Sequence, residues 1–291
     1  MQIKSIQEYI TLIEKLKNSY TYNVNLGKGR FAPTFTRIPH FIFRGHGDTE
    51  YKLQPKIFRW RNIAPGQACT EYSQLEYNIL KDFMSEACRF IKDVPVGDIS
   101  AWLEIAQHFG VPTRLLDFTE NPLVALFFAC SGKSKTDACV WVLDEYAYNQ
   151  KLYNETGIVL ATKSQRIVND IINNEIVCKG TNNYVPNQSV QYPWIYKPCY
   201  REERMNLQSS MFMIWGAQQA ELTDFIAKED YMTDGQITNV YHGIICKVEI
   251  PADKKEVILQ QLNLLGINNK FIYPGIDGIG KYIDKKYSSD N

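Results

Sequence analysis

Apolar residues recur at helical spacing in the opening segment, where Ile3, Ile6, Tyr9, Ile10, Ile13 and Leu16 share one face. Ser5 and Glu8 predict a capping box at its start. Residues 20–39 are polar and rich in Gly and Pro, and read as loop. Residues 40–45 predict a strand that ends near Arg44, with Gly45 and Gly47 permitting a tight exit. Tyr72, Leu75, Ile79, Leu80, Phe83, Ala87 and Phe90 mark a long amphipathic helix, with Thr70 as candidate cap. Trp102, Ile105, Ala106 and Phe109 mark a shorter one, which Gly110 stops and Pro112 keeps from resuming.

Residues 113–118 then have room only for a short extended segment. Asn121 and Pro122 predict the N-cap and first turn of a buried helix running to Cys130. Residues 138–143 form an uninterrupted apolar run, the pattern of a strand covered on both faces. Ile167, Val168, Ile171 and Ile172 suggest a further helix, residues 179–198 a long polar loop, and residues 207–215 a strand. Ile244, Cys246, Val248 and Ile250 alternate with Ile245, Lys247 and Glu249, as in a half-buried strand. A capped helix over 253–265 ends at Gly266, and 274–278 turns into a last short helix before fraying from Ser288. There is no internal repeat and no low-complexity linker. The pattern predicts one α+β domain over residues 1–291, with a mixed or antiparallel sheet core and several packing helices. Residues 1–38 supply an N-terminal helix and loop, 39–284 the core, and 285–291 the tail.

Composition narrows the function classes. The 291 residues are 45% hydrophobic and 22% charged, ordinary for a globular protein. Thirty-two Lys and Arg balance 32 Asp and Glu, so no global charge draws the chain to nucleic acid or an anionic membrane. Lys52, Lys56, Arg59 and Arg61 are a local basic cluster that a solvated loop explains equally well. The 18 tyrosines are scattered, which favours packing over a stacking surface. Seven cysteines, Cys69, Cys88, Cys130, Cys139, Cys178, Cys199 and Cys246, include no CxxC pair, so reduced thiols and no metal site are expected. The N-terminus lacks a signal-peptide pattern and no apolar run approaches a membrane span, so a cytoplasmic location is expected.

Several catalytic classes leave no trace. There is no Walker A loop, GxGxxG, HExxH or GxSxG. Cys130 sits in an apolar run, the wrong setting for a nucleophile. A metal held by His46, Asp48, His108 and Asp117 needs a convergence that the spacing does not show.

What remains is residues 106–130. His108, Thr113, Arg114 and Asp117 lie among apolar and turn residues, immediately before a run, 123–130, whose sole polar side chain is a thiol. A polar, sharply turned segment fed into a buried helix is a common way to build a cleft. Each residue also has a structural reading. Arg44 suits a phosphate, because a guanidinium offers paired donors, yet it equally suits a buried ion pair with Asp117 or Glu120. His108 equally suits the end of its helix dipole. Thr113 and Thr119 serve as well in turns or caps. Arg114 and Asp117, three apart on an extended segment, point to opposite faces, so at most one enters a given cleft directly.

Phe43-Arg44-Gly45, followed by Gln107-His108-Phe109-Gly110, Pro112-Thr113-Arg114-Leu115-Leu116-Asp117-Phe118-Thr119 and Asn121-Pro122, closely resembles the FRG domain family. The resemblance is strong over 41–143 and weaker to Tyr282. More distantly, the order of elements looks like that of ADP-ribosyltransferases, where an aromatic-Arg-Gly strand binds the dinucleotide and a late Gln or Glu contacts the ribose. That resemblance implies a cleft built by Arg44, His46, His108, Arg114, Asp117 and Thr119. It implies NAD or another nucleotide as ligand, a transferase-like or glycohydrolase-like reaction, and Gln208 or Glu221 at the scissile bond. In it Arg44 would hold a phosphate, His46 orient a ribose, and Asp117 and Thr119 shape the base pocket. The late Glu-x-Glu pair of many transferases is missing here. The alternative is a non-catalytic binding or regulatory module, for example in a toxin or phage-defence setting.

Overall fold

The computed structural model describes residues 1–25, 34–60, 68–132, 135–153, 161–181, 190–199, 203–232 and 243–288. Arg61 and the side chains of Cys69 and Thr70 lie outside that set, as do 182–189 of the expected loop and the last residues of the tail. The chain begins with helix α1 (Ile6–Ser19) and continues through strands β1 (Tyr22–Asn25), β2 (Thr34–Arg37) and β3 (Phe41–His46). Helices α2 (Lys56–Trp60), α3 (Ala68–Ala87) and α4 (Ile99–His108) lead to β4 (Leu115–Thr119), α5 (Pro122–Cys130) and β5 (Ala138–Asp144). Then come α6 (Glu145–Tyr153), α7 (Ala161–Ile171) with a π-helical extension, Ile172–Cys178, β6 (Trp194–Tyr196), α8 (Glu203–Leu207) and β7 (Ser210–Ile214). Strand β8 (Ile245–Ile250) and helices α9 (Lys255–Leu264), α10 (Asn269–Ile272) and α11 (Ile276–Ser288) complete the α+β domain.

Six strands form one sheet in the order β6-β7-β4-β3-β5-β8, every neighbouring pair antiparallel. β5 is buried along its whole length, as its apolar run requires. The outer edge of β8 is covered by the N-terminal segment, where Ile3 N donates to the Glu249 carbonyl (2.9 Å) and Glu249 N to that of Met1 (2.8 Å). One face of the sheet carries two separate apolar layers. Phe43, Val140, Val142 and Val248 pack with α1, α5 and α9. Leu115, Phe212 and Ile214 pack with α3, α4 and α7. The opposite face, with Ile42, Leu116, Trp141 and Met213, is covered by α2, α6 and the start of α3.

Local signals translate directly in α5. Asn121 caps it by accepting from both Leu123 N (3.0 Å) and Val124 N (3.4 Å). At α1, Ser5 Oγ accepts from Glu8 N (3.2 Å), but Glu8 returns the bond to Lys4 N (2.7 Å), one residue earlier than a capping box. Other expectations need correcting. Residues 20–39 are not all loop: β1 and β2 pair antiparallel, each with only four residues in which to show a period. β6 lies inside the expected loop 179–198, too short to show a period. The strand expected over 207–215 starts only at Ser210, because α8 and a turn at Ser209 occupy the preceding residues. The expected cap at Asp253 is a 3-10 turn, Ala252–Lys254, with no side-chain bond to the helix.

Candidate functional site

β3 and β4 share a single paired position, Phe43 opposite Thr119. Beyond it the pairing stops, and the two apolar layers on that face remain separate clusters. The seam is a cleft of about 650 Å³. Its walls come from Phe43, Arg44 and Gly45 on β3, Asp117 and Thr119 on β4, and Gln107 to Gly110 at the end of α4. Val124, Ala125 and Phe128 of α5, Arg204 and Met205 of α8, Gln208, and Ser210 and Phe212 of β7 close the remainder.

Arg44 bridges the two strands. Its Nε donates to His46 Nε2 (3.0 Å) and its Nη1 to the Asp117 carbonyl (2.5 Å), with the Asp117 carboxylate 3.8 Å away. Nη2 makes no hydrogen bond among the described residues, so a donor nitrogen is left over on a residue that lines the cleft. Burial pulls its pKa down; Asp117 opposes this and Arg59 adds to it, but a guanidinium stays charged. His46 stands behind it, buried and off the cleft lining. Burial, then Arg44 and Arg59, push the imidazole down to about 3, so it is neutral and serves as acceptor. That assigns its proton to Nδ1, which lacks a well-formed hydrogen bond.

A second chain of bonds fixes Asp117. Leu115 N donates to Thr113 Oγ1 (3.1 Å), Thr113 Oγ1 to Gln107 Oε1 (2.6 Å), and Gln107 Nε2 to Asp117 Oδ2 (2.8 Å). Gln107 stands out in the sequence only as part of the motif; its pairing shows only when α4 is laid beside β4. Thr119 Oγ1 donates to the Gln208 carbonyl (2.5 Å), tying β4 to the turn before β7. Ser209 in that turn is the one non-glycine with positive φ (46°) among the described residues, and such strain concentrates at functional sites.

Residues 39–138 match the FRG domain family model. No curated protein and no solved structure matches the chain. The FRG segment supplies β3, α4, β4 and α5, four walls of the cleft, while α8 and β7 come from the chain beyond it. The glycine of the Phe-Arg-Gly tripeptide has a packing reason. A Cβ at Gly45 would lie 2.0 Å from the Ala125 carbonyl oxygen and 2.6 Å from Ala129 N, so the bare backbone admits α5 rather than a ligand.

Of the residues singled out from sequence, Arg44, His108, Asp117, Thr119 and Gln208 line the cleft. Arg114 does not. It is 1% exposed, and its Nε donates to Glu76 Oε2 (2.7 Å), its Nη1 to the carbonyls of Trp215 (3.2 Å) and Gly216 (3.4 Å), and its Nη2 to that of Glu175 (3.4 Å). Nor does Glu221, whose carboxylate accepts from Leu53 N (3.0 Å) and caps a 3-10 turn, Leu222–Phe225. Gln208 reaches the cleft with its Nε2 already given to the Ile272 carbonyl (2.9 Å). Among the described residues no His, Cys, Asp and Glu cluster is arranged for a metal, and no helix is long and apolar enough to cross a membrane.

Proposed function

We propose that the cleft binds a nucleotide through its phosphates, with NAD as the candidate ligand. The observation that carries this is Arg44: a guanidinium braced from behind by His46 and the Asp117 carbonyl, with a donor edge left over. Helix polarity favours the same placement. Val124 and Ala125 of the first turn of α5 line the cleft, as do Gln107 to Gly110 at the C-terminal end of α4, and an anion is favoured at the first and disfavoured at the second. The anion therefore sits between Arg44 and α5, and the base reaches the α4 rim, where Phe109 is 63% exposed and offers a stacking face.

The order of motifs in the sequence, which resembles that of ADP-ribosyltransferases, makes ADP-ribosyl transfer or nicotinamide release the reaction to assay. A binding or regulatory module is the second reading. It is favoured by the placement of Glu221 off the cleft and by the engaged, uncharged amide of Gln208, which is a poor partner for positive charge developing on a ribose. Titration calorimetry with NAD and ADP tests the site. Phe109→Ala, an exposed change with little folding cost, should weaken binding by about 5- to 150-fold, the range of one base stack. Arg44→Lys should bind poorly because it cannot reproduce the fork. No binding up to millimolar ligand, or wild-type affinity in both variants, refutes the reading. Nicotinamide release by the wild type separates the enzyme from the module.

A further inference from the structure

Asp117 stands beside Arg44 in a fixed orientation, and the order of bonds behind it sets which atom faces the cleft. Because an ionised carboxylate only accepts, Gln107 turns its NH2 to Asp117 Oδ2, and its Oε1 accepts from the Thr113 hydroxyl. Oδ1 accepts no hydrogen bond among the described residues, and the side chain is 54% exposed at the cleft. One wall thus holds a cation with a spare donor edge and, 3.8 Å from it, an acceptor-only group with a spare oxygen. A phosphate takes the first and is repelled by the second. The carboxylate accepts from hydroxyl or amine donors, and in a nucleotide the hydroxyl-bearing group joined directly to the phosphate is the ribose.

We propose that Asp117 Oδ1 accepts from the ribose diol, so that the cleft selects ribonucleotides over deoxyribonucleotides, and that Gln107 and Thr113 are positioning residues for it. This rests on the nucleotide reading above, and it replaces His46 and a base-pocket role for Asp117 with a direct ribose contact. A bare anion site would need only Arg44; the three-residue brace on Asp117 is what the ribose contact accounts for.

The test is calorimetry with ADP, 2′-deoxy-ADP, 3′-deoxy-ADP and inorganic pyrophosphate. Wild-type protein should prefer ADP over at least one deoxy analogue by about tenfold or more, the scale of a hydrogen bond to a charged group. Asp117→Asn is nearly isosteric and half-exposed. With Gln107 donating to its oxygen, the Asn turns an NH2 to the cleft, so the preference should collapse toward one while pyrophosphate binds no more weakly. Thr113→Val should erode the preference and Thr113→Ser restore it, a rescue that a purely structural role would not produce. Equal binding of ADP and both deoxy analogues by the wild type, or an undiminished preference in Asp117→Asn, overturns the inference while the nucleotide reading stands. Absence of ADP and NAD binding overturns both.

Discussion

Replacing Arg114 by Met removes a cation from a site where both partners of the pair, Arg114 and Glu76, are 1% exposed. Glu76 Oε1 keeps the Arg114 backbone N–H (2.7 Å), but Oε2 loses its partner, and the carbonyls of Trp215, Gly216 and Glu175 lose a shared donor. Breaking a buried pair from one side costs about 3–5 kcal/mol, because the other charge is left without compensation. For a domain of this size that is about 5–8 °C in thermal midpoint. Burial already pushes the Glu76 carboxyl above its ordinary value, against the pull of Arg114. Without Arg114 it should rise further and protonate, so the loss should shrink as pH falls. Glu76→Met/Arg114→Met, which removes both charges, should cost less than Arg114→Met alone. Urea unfolding of the wild type, the two single variants and the double variant from pH 5 to 8 measures each difference. A single-variant loss within about 0.5 kcal/mol of zero, a double variant worse than the sum of the singles, or abolished nucleotide binding with stability intact would refute the structural role of Arg114.

Gly45→Ala should destabilise by about 3 kcal/mol or more, the upper end of overpacking, because the atoms in the way are backbone of α5 and cannot rotate aside; soluble yield and urea midpoint report it, and a wild-type midpoint contradicts the close approach. Burial pushes the Asp144 carboxyl from 3.8 up to about 6, against backbone donors that include Tyr146 and His40. An acid held more tightly protonated when folded loses stability as pH rises between those values, by about 3 kcal/mol in all. Asp144→Asn should therefore flatten the stability profile from pH 4 to 6, and an equal gap between variant and wild type at pH 4 and pH 7 counts against it.

The chain by itself determined the elements whose signal is carried by neighbouring residues. The apolar run at 138–143 had to be a central strand, the alternation at 244–250 a strand with one wet face, and Asn121-Pro122 the start of a buried helix, because each pattern is a property of consecutive residues. The pair of β1 and β2 and the three-residue β6 escaped, since what makes them strands is the partner across the ladder. The same limit governs the site. A charged residue in an apolar context looks alike whether it binds a ligand or is consumed by a buried partner. Only the packing of α3 under the start of β4 sends Arg114 to Glu76, while the end of pairing between β3 and β4 leaves Arg44 and Asp117 in the cleft. Gly45 reads in sequence as a tight exit from the strand and only the fold shows α5 packed on it, and Gln107 gains its meaning only from Thr113 and Asp117, six and ten residues away. Period and composition report how deeply a residue is buried; which atoms meet it there is decided by contacts between segments far apart in the chain.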